Sequence, residues 1–155
     1  MIVENYEIAH RNVVSKYYNV APEEIDDAIM DFHKILKDNG FHPIGLMFYA
    51  IIFEPTDDMM TIEVFIPIEE DRFDIRTNEQ MYFRSYFNVK SMIMTRMLGE
   101  FETESPKKFR ELITYIRRNG LEQRTPLFVE YKFNYQNKLY VEMSIGIQNH
   151  SYVEK

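Results

Sequence analysis

Two stretches of the chain repeat apolar residues at three- and four-residue spacing. Ile25, Ala28, Ile29, Phe32, Ile35 and Leu36 line one face of a helix, and Phe109, Leu112, Ile113 and Ile116 do the same later on. Pro22 and the acids Glu23, Glu24, Asp26 and Asp27 suit the first turn of the first helix, where they complement the positive end of its dipole. Gly40 ends that helix. For the second, Ser105 is expected as N-cap, Pro106 at the first helical position and Gly120 as the left-handed stop, with Arg117 and Arg118 at the negative end.

The remaining apolar positions follow a strand pattern. Runs 46–53 and 60–68 follow the first helix, and 127–133 and 139–147 follow the second. Each pair reads as a hairpin, its turn supplied by Glu54-Pro55-Thr56-Asp57-Asp58 or Asn134-Tyr135-Gln136-Asn137-Lys138. Segments of about 5–18 and 82–97, rich in β-branched and aromatic residues, read as a leading strand before each helix. In the last run Leu139, Val141, Met143, Ile145 and Ile147 alternate with Tyr140, Glu142, Ser144 and Gly146; in the one before, Leu127, Val129, Tyr131 and Phe133 alternate with Phe128, Glu130 and Lys132. One side is core, and the other sets a carboxylate among rings.

The order strand, helix, strand, strand thus occurs twice. Asn39-Gly40-Phe41 corresponds to Asn119-Gly120-Leu121 roughly 80 residues on, Tyr6 to Tyr86, Val13 to Ile93, and Phe48 to Phe128. With a one-residue adjustment, Ile62-Glu63-Val64 aligns with Val141-Glu142-Met143. The expected fold is α+β: duplicated β-α-β-β units forming one antiparallel sheet, with two helices on one face. The repeats are placed at 1–68 and 81–150, joined by a charged, aperiodic connection at 69–80, within a single domain spanning 1–155.

Composition narrows the function. There are 12 Phe and 11 Tyr but no Trp, an aromatic excess that asks for a purpose beyond a core. The absence of Cys excludes a disulfide scaffold, a thiolate nucleophile, a Cys-based zinc site and an iron–sulfur cluster, and suits a reducing compartment. The segment Met1 to Glu7 lacks the basic and apolar regions of a signal peptide, and no stretch approaches the ~18 consecutive apolar residues of a membrane span. A cytoplasmic protein with no membrane partner is expected. A net charge of −7 argues against nucleic acid, and the basic group Lys107, Lys108, Arg110, Arg117 and Arg118 reads as a solvated helix face.

Several segments carry a family likeness. In the second half these are Gly99, the run Phe109-Arg110-Glu111-Leu112-Ile113-Thr114-Tyr115-Ile116 leading to Asn119-Gly120-Leu121, and Pro126 through Glu130-Tyr131. The first half echoes them with Gly40, Pro43, Gly45, Tyr49 and the closing Ile66-Pro67-Ile68. Over nearly its whole length the chain resembles the gyrase-inhibitor-like, or effector-binding, domains found at the C-terminus of multidrug-responsive transcription activators and as free-standing proteins. It is also similar to an uncharacterised Firmicutes family of comparable length. No helix-turn-helix reader precedes the repeat, so the free-standing form is expected. Gly146 stands where that family has proline and Tyr115 where many members have Trp, departures that bear on ligand preference more than on fold.

The resemblance implies non-catalytic binding of a small aromatic or cationic organic ligand in a groove at the pseudo-two-fold axis, with Glu130 as the buried acid. Tyr49, Tyr86, Phe128 and Tyr140 are the expected walls. Aromatic faces attract a cation by roughly 0.5–2 kcal/mol each, and a desolvated carboxylate holds its charge when a cation pairs with it. Glu63 and Glu142 occupy matching positions, as exposed strand residues or as an acid/base or metal pair. His10, His33, His42 and His150 show no metal-ligand spacing, and no metal or other cofactor is expected. Met47, Met59, Met60, Met92, Met94 and Met97 read as core filler or as an adaptable lining. Two further readings stay open: a small-molecule hydrolase using Glu130 and a neighbouring Tyr, and a protein-interaction module, with a protein partner or a homodimer.

Overall fold

A computed structural model describes residues 1–56, 59–74 and 80–149. Asp57 and Asp58 of the first expected turn, the middle of the 69–80 connection and His150 lie outside the described residues. The fold is mixed α+β. The described residues form six strands, β1 (Val3–Val20), β2 (Phe48–Thr56), β3 (Met59–Pro67), β4 (Met81–Met97), β5 (Leu121–Phe133) and β6 (Leu139–Asn149), and two helices, α1 (Ile25–Asp38) and α2 (Phe101–Arg118). A short 3-10 turn, Pro22–Glu24, leads into α1. None of the described helices is long and apolar enough to cross a membrane.

The chain divides into two compact units, one built from Ala9–Asn88 and the other from Met1–Ile8 with Val89–Lys155. Both divisions fall inside a strand. The opening residues of β1 belong with the C-terminal unit, and the opening residues of β4 with the other.

In the Ala9–Asn88 unit, β3 pairs antiparallel with β1 on one side and β2 on the other. Its run Ile62 to Pro67 is wholly buried, which explains its near-continuous apolar character. Helix α1 lies against β3 and buries Ala28, Ile29, Phe32 and Leu36. Pro22 opens the turn before it as expected, and the Glu24 carboxylate accepts the Ala21 N–H at 2.8 Å. Gly40 adopts φ +82 just past the helix, a left-handed conformation that glycine takes without strain.

In the other unit β6 takes the central place, paired antiparallel with β4 and β5. Helix α2 packs on β5 and β6 through Leu112 and Ile116. It begins a turn earlier than the sequence suggests. The Glu104 N–H already reaches the Glu100 carbonyl at 2.9 Å, and Ser105 does not cap: its hydroxyl donates to the Phe101 carbonyl at 2.5 Å. Pro106 therefore sits inside the helix, where it forfeits one backbone bond. Strand β5 also starts earlier, at Leu121, and carries a register shift between Gln123 and Leu127.

Gly146 answers to local packing. Its N–H donates to the Thr125 hydroxyl at 2.7 Å, and a Cβ there would lie 2.5 Å from Thr125 Cγ2. Proline could not make that bond, and a larger residue would not fit.

The registers agree between units. Glu63 stands opposite Tyr17 and Ala50, and Glu142 stands opposite Arg96 and Glu130. Because strand side chains alternate, this sends both glutamates to the face opposite Val64 and Met143, respectively. Phe32→Ala and Leu112→Ala, each removing a fully buried side chain, should lower stability by about 2–5 kcal/mol in urea titrations. A neutral result in either would show that its helix does not pack through that face.

Candidate functional site

The middle of β6 is buried on both sides. Val141, Met143 and Ile145 are apolar, but Glu142 at 1% exposure and Ser144 at 0% are buried as well. A carboxylate so placed needs donors, because desolvation otherwise neutralises it. Three surround it. Arg96 Nε and Nη2 donate to Oε2 at 2.8 and 2.5 Å, Lys132 Nζ donates to Oε1 at 2.6 Å, and the Tyr6 hydroxyl lies 2.8 Å from Oε1. Register accounts for the first two. Arg96 is the cross-strand partner of Glu142 on β4, and Lys132 lies two residues from Glu130 on the same face of β5.

Tyr6 arrives by a backbone irregularity. Asn5 has φ +57, a left-handed residue within β1 that interrupts the strand's alternation. Glu4 and Tyr6 would otherwise share a face; instead Glu4 accepts the hydroxyl of Tyr115 on α2, while Tyr6 reaches the glutamates.

Tyr6 also lies 2.5 Å from Glu130 Oε1 and accepts a hydrogen bond from Lys132 at 2.7 Å. One phenol carries one proton, so it cannot donate to Glu130 and Glu142 together. A proton on Glu130 would resolve the conflict. Burial pushes the Glu130 carboxyl above the usual range, with the nearby negative charge of Glu142 acting in the same direction. Glu142 moves the other way. Burial is the largest influence on it and acts upward, but the hydrogen bonds from Lys132, Arg96 and Tyr6 together hold it below the ordinary carboxylate range. Tyr6 itself is kept protonated far above the phenol range, by burial first and by Glu130 next. The carboxyls thus divide into one charged and paired, and one favouring its neutral form.

Glu130 is 5% exposed. Its Oε2 has Lys132 Nζ at 3.8 Å and no hydrogen-bond donor among the described residues. Phe128 and Ser144 form the next row on the same face, both buried, and the Ser144 hydroxyl likewise has no partner there. At the outer edge the Arg96 guanidinium lies 5.1 Å from the centre of the Tyr140 ring, and the Lys132 ammonium 5.2 Å from that of Tyr6. Both cations are partly exposed, while the Glu142 carboxylate they pair with is buried.

Of the five expected site residues, Glu130, Phe128 and Tyr140 come together here. Tyr49 and Tyr86 belong to the other unit. Tyr49 is buried, on the opposite side of β2 from Phe48 and Ala50, and Tyr86 is 59% exposed. Tyr6, Arg96 and Lys132 were not foreseen. The register-equivalent position in the Ala9–Asn88 unit holds Glu63, bonded to the Ser15 hydroxyl at 2.7 Å, with Ala50 where Glu130 would stand. At the surface His42 Nδ1 lies 2.6 Å from Glu70 and 4.0 Å from Glu69, a grouping unseen in the histidine spacing and accounted for by an ion pair that raises the His42 pKa.

The opposite shifts predict opposite pH behaviour. Glu130 favours the fold while protonated, and that contribution is lost as pH rises through its elevated folded pKa. Glu142 favours the fold above the ordinary carboxylate range, and its contribution is lost as pH falls through its lowered value. Glu130→Gln should therefore match or exceed the parent in thermal midpoint at neutral pH, the two converging toward about pH 4. Glu142→Gln should cost about 1–3 kcal/mol at neutral pH, the deficit shrinking in acid. Melting curves from roughly pH 3 to 8 check both, and equal behaviour of the two variants would refute the assignment.

The fold has relatives among solved structures. The chain is similar to the C-terminal domain of EcmrR, with a TM-score of 0.70 and 11% identity, over 96% of this chain and 98% of that one. It is equally similar to EcmrR in an EcmrR–DNA complex, where it spans 57% of that chain. At such identity the likeness is one of fold. No curated protein sequence matches significantly. Residues 9–149 match the family described as Domain of unknown function (DUF5085), and the chain belongs to that family.

Proposed function

We propose that the protein binds a small organic cation of aromatic character at the Glu130 face of β5 and β6, without transforming it. The observation that carries this reading is Glu130 itself, a buried carboxyl that favours its neutral form, whose Oε2 lacks a donor and which sits one row from Phe128. An incoming cation supplies the missing charge, and the rings add quadrupolar attraction. Glu142 cannot serve in this way, because Arg96 and Lys132 already satisfy it. The shared fold with the C-terminal domain of EcmrR, a protein solved in complex with DNA, and the resemblance to effector-binding domains support a sensing role. The matched registers around Glu63 and Glu142 support descent from a duplicated unit, with one copy retaining a second acid and the other having alanine.

Binding must be linked to protons. The cation pairs with ionised Glu130, so complex formation releases a proton between the ordinary carboxylate range and the elevated pKa of the free protein, and affinity rises with pH across that window. Isothermal titration with aromatic ammonium compounds, in buffers of different ionisation enthalpy, measures this release. Glu130→Gln should weaken binding at least about tenfold, equivalent to about 1.4 kcal/mol. Unchanged affinity in Glu130→Gln, or binding without proton release, would refute the assignment.

A second reading is favoured by one contact, the 2.5 Å approach of Tyr6 to Glu130. A carboxyl and a phenol so close can pass a proton to or from a reacting group, as general acid and base do. Turnover of an electrophilic compound that is abolished by Glu130→Gln and by Tyr6→Phe would establish a hydrolase in place of a binding module.

A further inference from the structure

The Ala9–Asn88 unit holds an arginine arranged differently from Arg96. Arg84 Nη1 donates to the Ser15 hydroxyl at 3.2 Å, and that hydroxyl donates in turn to Glu63 Oε2 at 2.7 Å. Ser15 and Glu63 are 0% and 5% exposed. The guanidinium carbon lies 5.7 Å from the centre of the Phe65 ring and 5.8 Å from that of Phe87. One nitrogen is thus tied to a buried relay, and two adjoining rings lie to one side of the guanidinium.

What remains of the guanidinium is unspent. Nε and Nη2 have no partner among the described residues, and the side chain is 40% exposed. Arg96 differs on this point, since both its Nε and Nη2 are committed to Glu142. Glu63 Oε2 lies 3.6 Å from Arg84 Nη1 and balances its charge. A guanidinium so oriented presents two parallel donors, the fork that matches a carboxylate. The Tyr17 ring, cross-strand from Glu63, meets the Tyr82 ring edge-on at 5.9 Å, and both tyrosines are about two-fifths exposed.

We propose that Arg84 is a recognition site for a small aromatic carboxylate. The ligand's carboxylate takes Nε and Nη2 of Arg84 in bidentate fashion, and its ring rests against Tyr17 and Tyr82. Ser15 and Glu63 are positioning residues that hold the fork in place. The proposal does not rest on the Glu130 reading, because every residue it uses lies in the other unit and the ligand carries the opposite charge.

Titration of the full chain with benzoate, followed by the NMR shifts of backbone amides near Arg84, tests it. Saturable shifts at millimolar benzoate are expected, with acetate binding more weakly for want of a ring. Arg84→Lys keeps the charge and loses the fork, and should weaken benzoate about tenfold or more. Ser15→Ala should weaken it several-fold while leaving bound benzoate at the same amides. Shifts that never saturate, or equal affinity in Arg84→Lys, would overturn the proposal.

Discussion

A buried negative charge at the centre of a strand governs the C-terminal unit. Glu142 is taken out of water in the middle of β6, where a bare carboxylate would be severely penalised, and the surrounding residues are arranged to prevent that. Arg96 and Lys132 deliver opposite charge from the flanking strands, and Tyr6 adds a hydroxyl from the start of the chain. Once these donors are committed to Glu142, little is left for Glu130, which lies directly across from it. The elevated pKa of Glu130 follows from its own burial first and from the negative charge of Glu142 next to it, which together outweigh the contact with Tyr6 and the charge of Lys132.

The Ala9–Asn88 unit meets the same problem with different residues. Glu63 occupies the equivalent place in the register, but its neighbours across the strands are Tyr17 and Ala50, and its cation comes from Arg84, largely through Ser15. Alanine in place of a second acid removes the proton competition seen around Glu130. The two units therefore present different chemistry: a carboxyl with a raised pKa beside two partly exposed cations in one, and a guanidinium tied through Ser15 in the other.

Backbone irregularity matters as much as side-chain identity. Asn12 and Ser91 adopt φ +53 and +58 within the long strands β1 and β4, and Asn5 adopts φ +57 next to Tyr6. Left-handed residues inside a strand add a residue to one side of the ladder and turn later side chains to the other face. Asparagine tolerates this conformation better than most residues, but no local hydrophobic pattern marks where such a break occurs.

The helices, their glycine stops, the hairpins and the alternation that sets Glu130, Phe128 and Glu142 on one face were legible from residue order, because each depends on neighbours only a few positions away along the chain. The helix start at Phe101 escaped, since Ser105 and Pro106 satisfy local capping rules equally well one turn later. The partners of Glu142 and Glu130 escaped for a different reason. Tyr6 stands 136 and 124 positions from them, and its approach depends on the left-handed residue Asn5 beside it. Which buried acid keeps its proton is likewise a matter of how few donors fit around two carboxylates, a competition that exists once distant segments have been packed together.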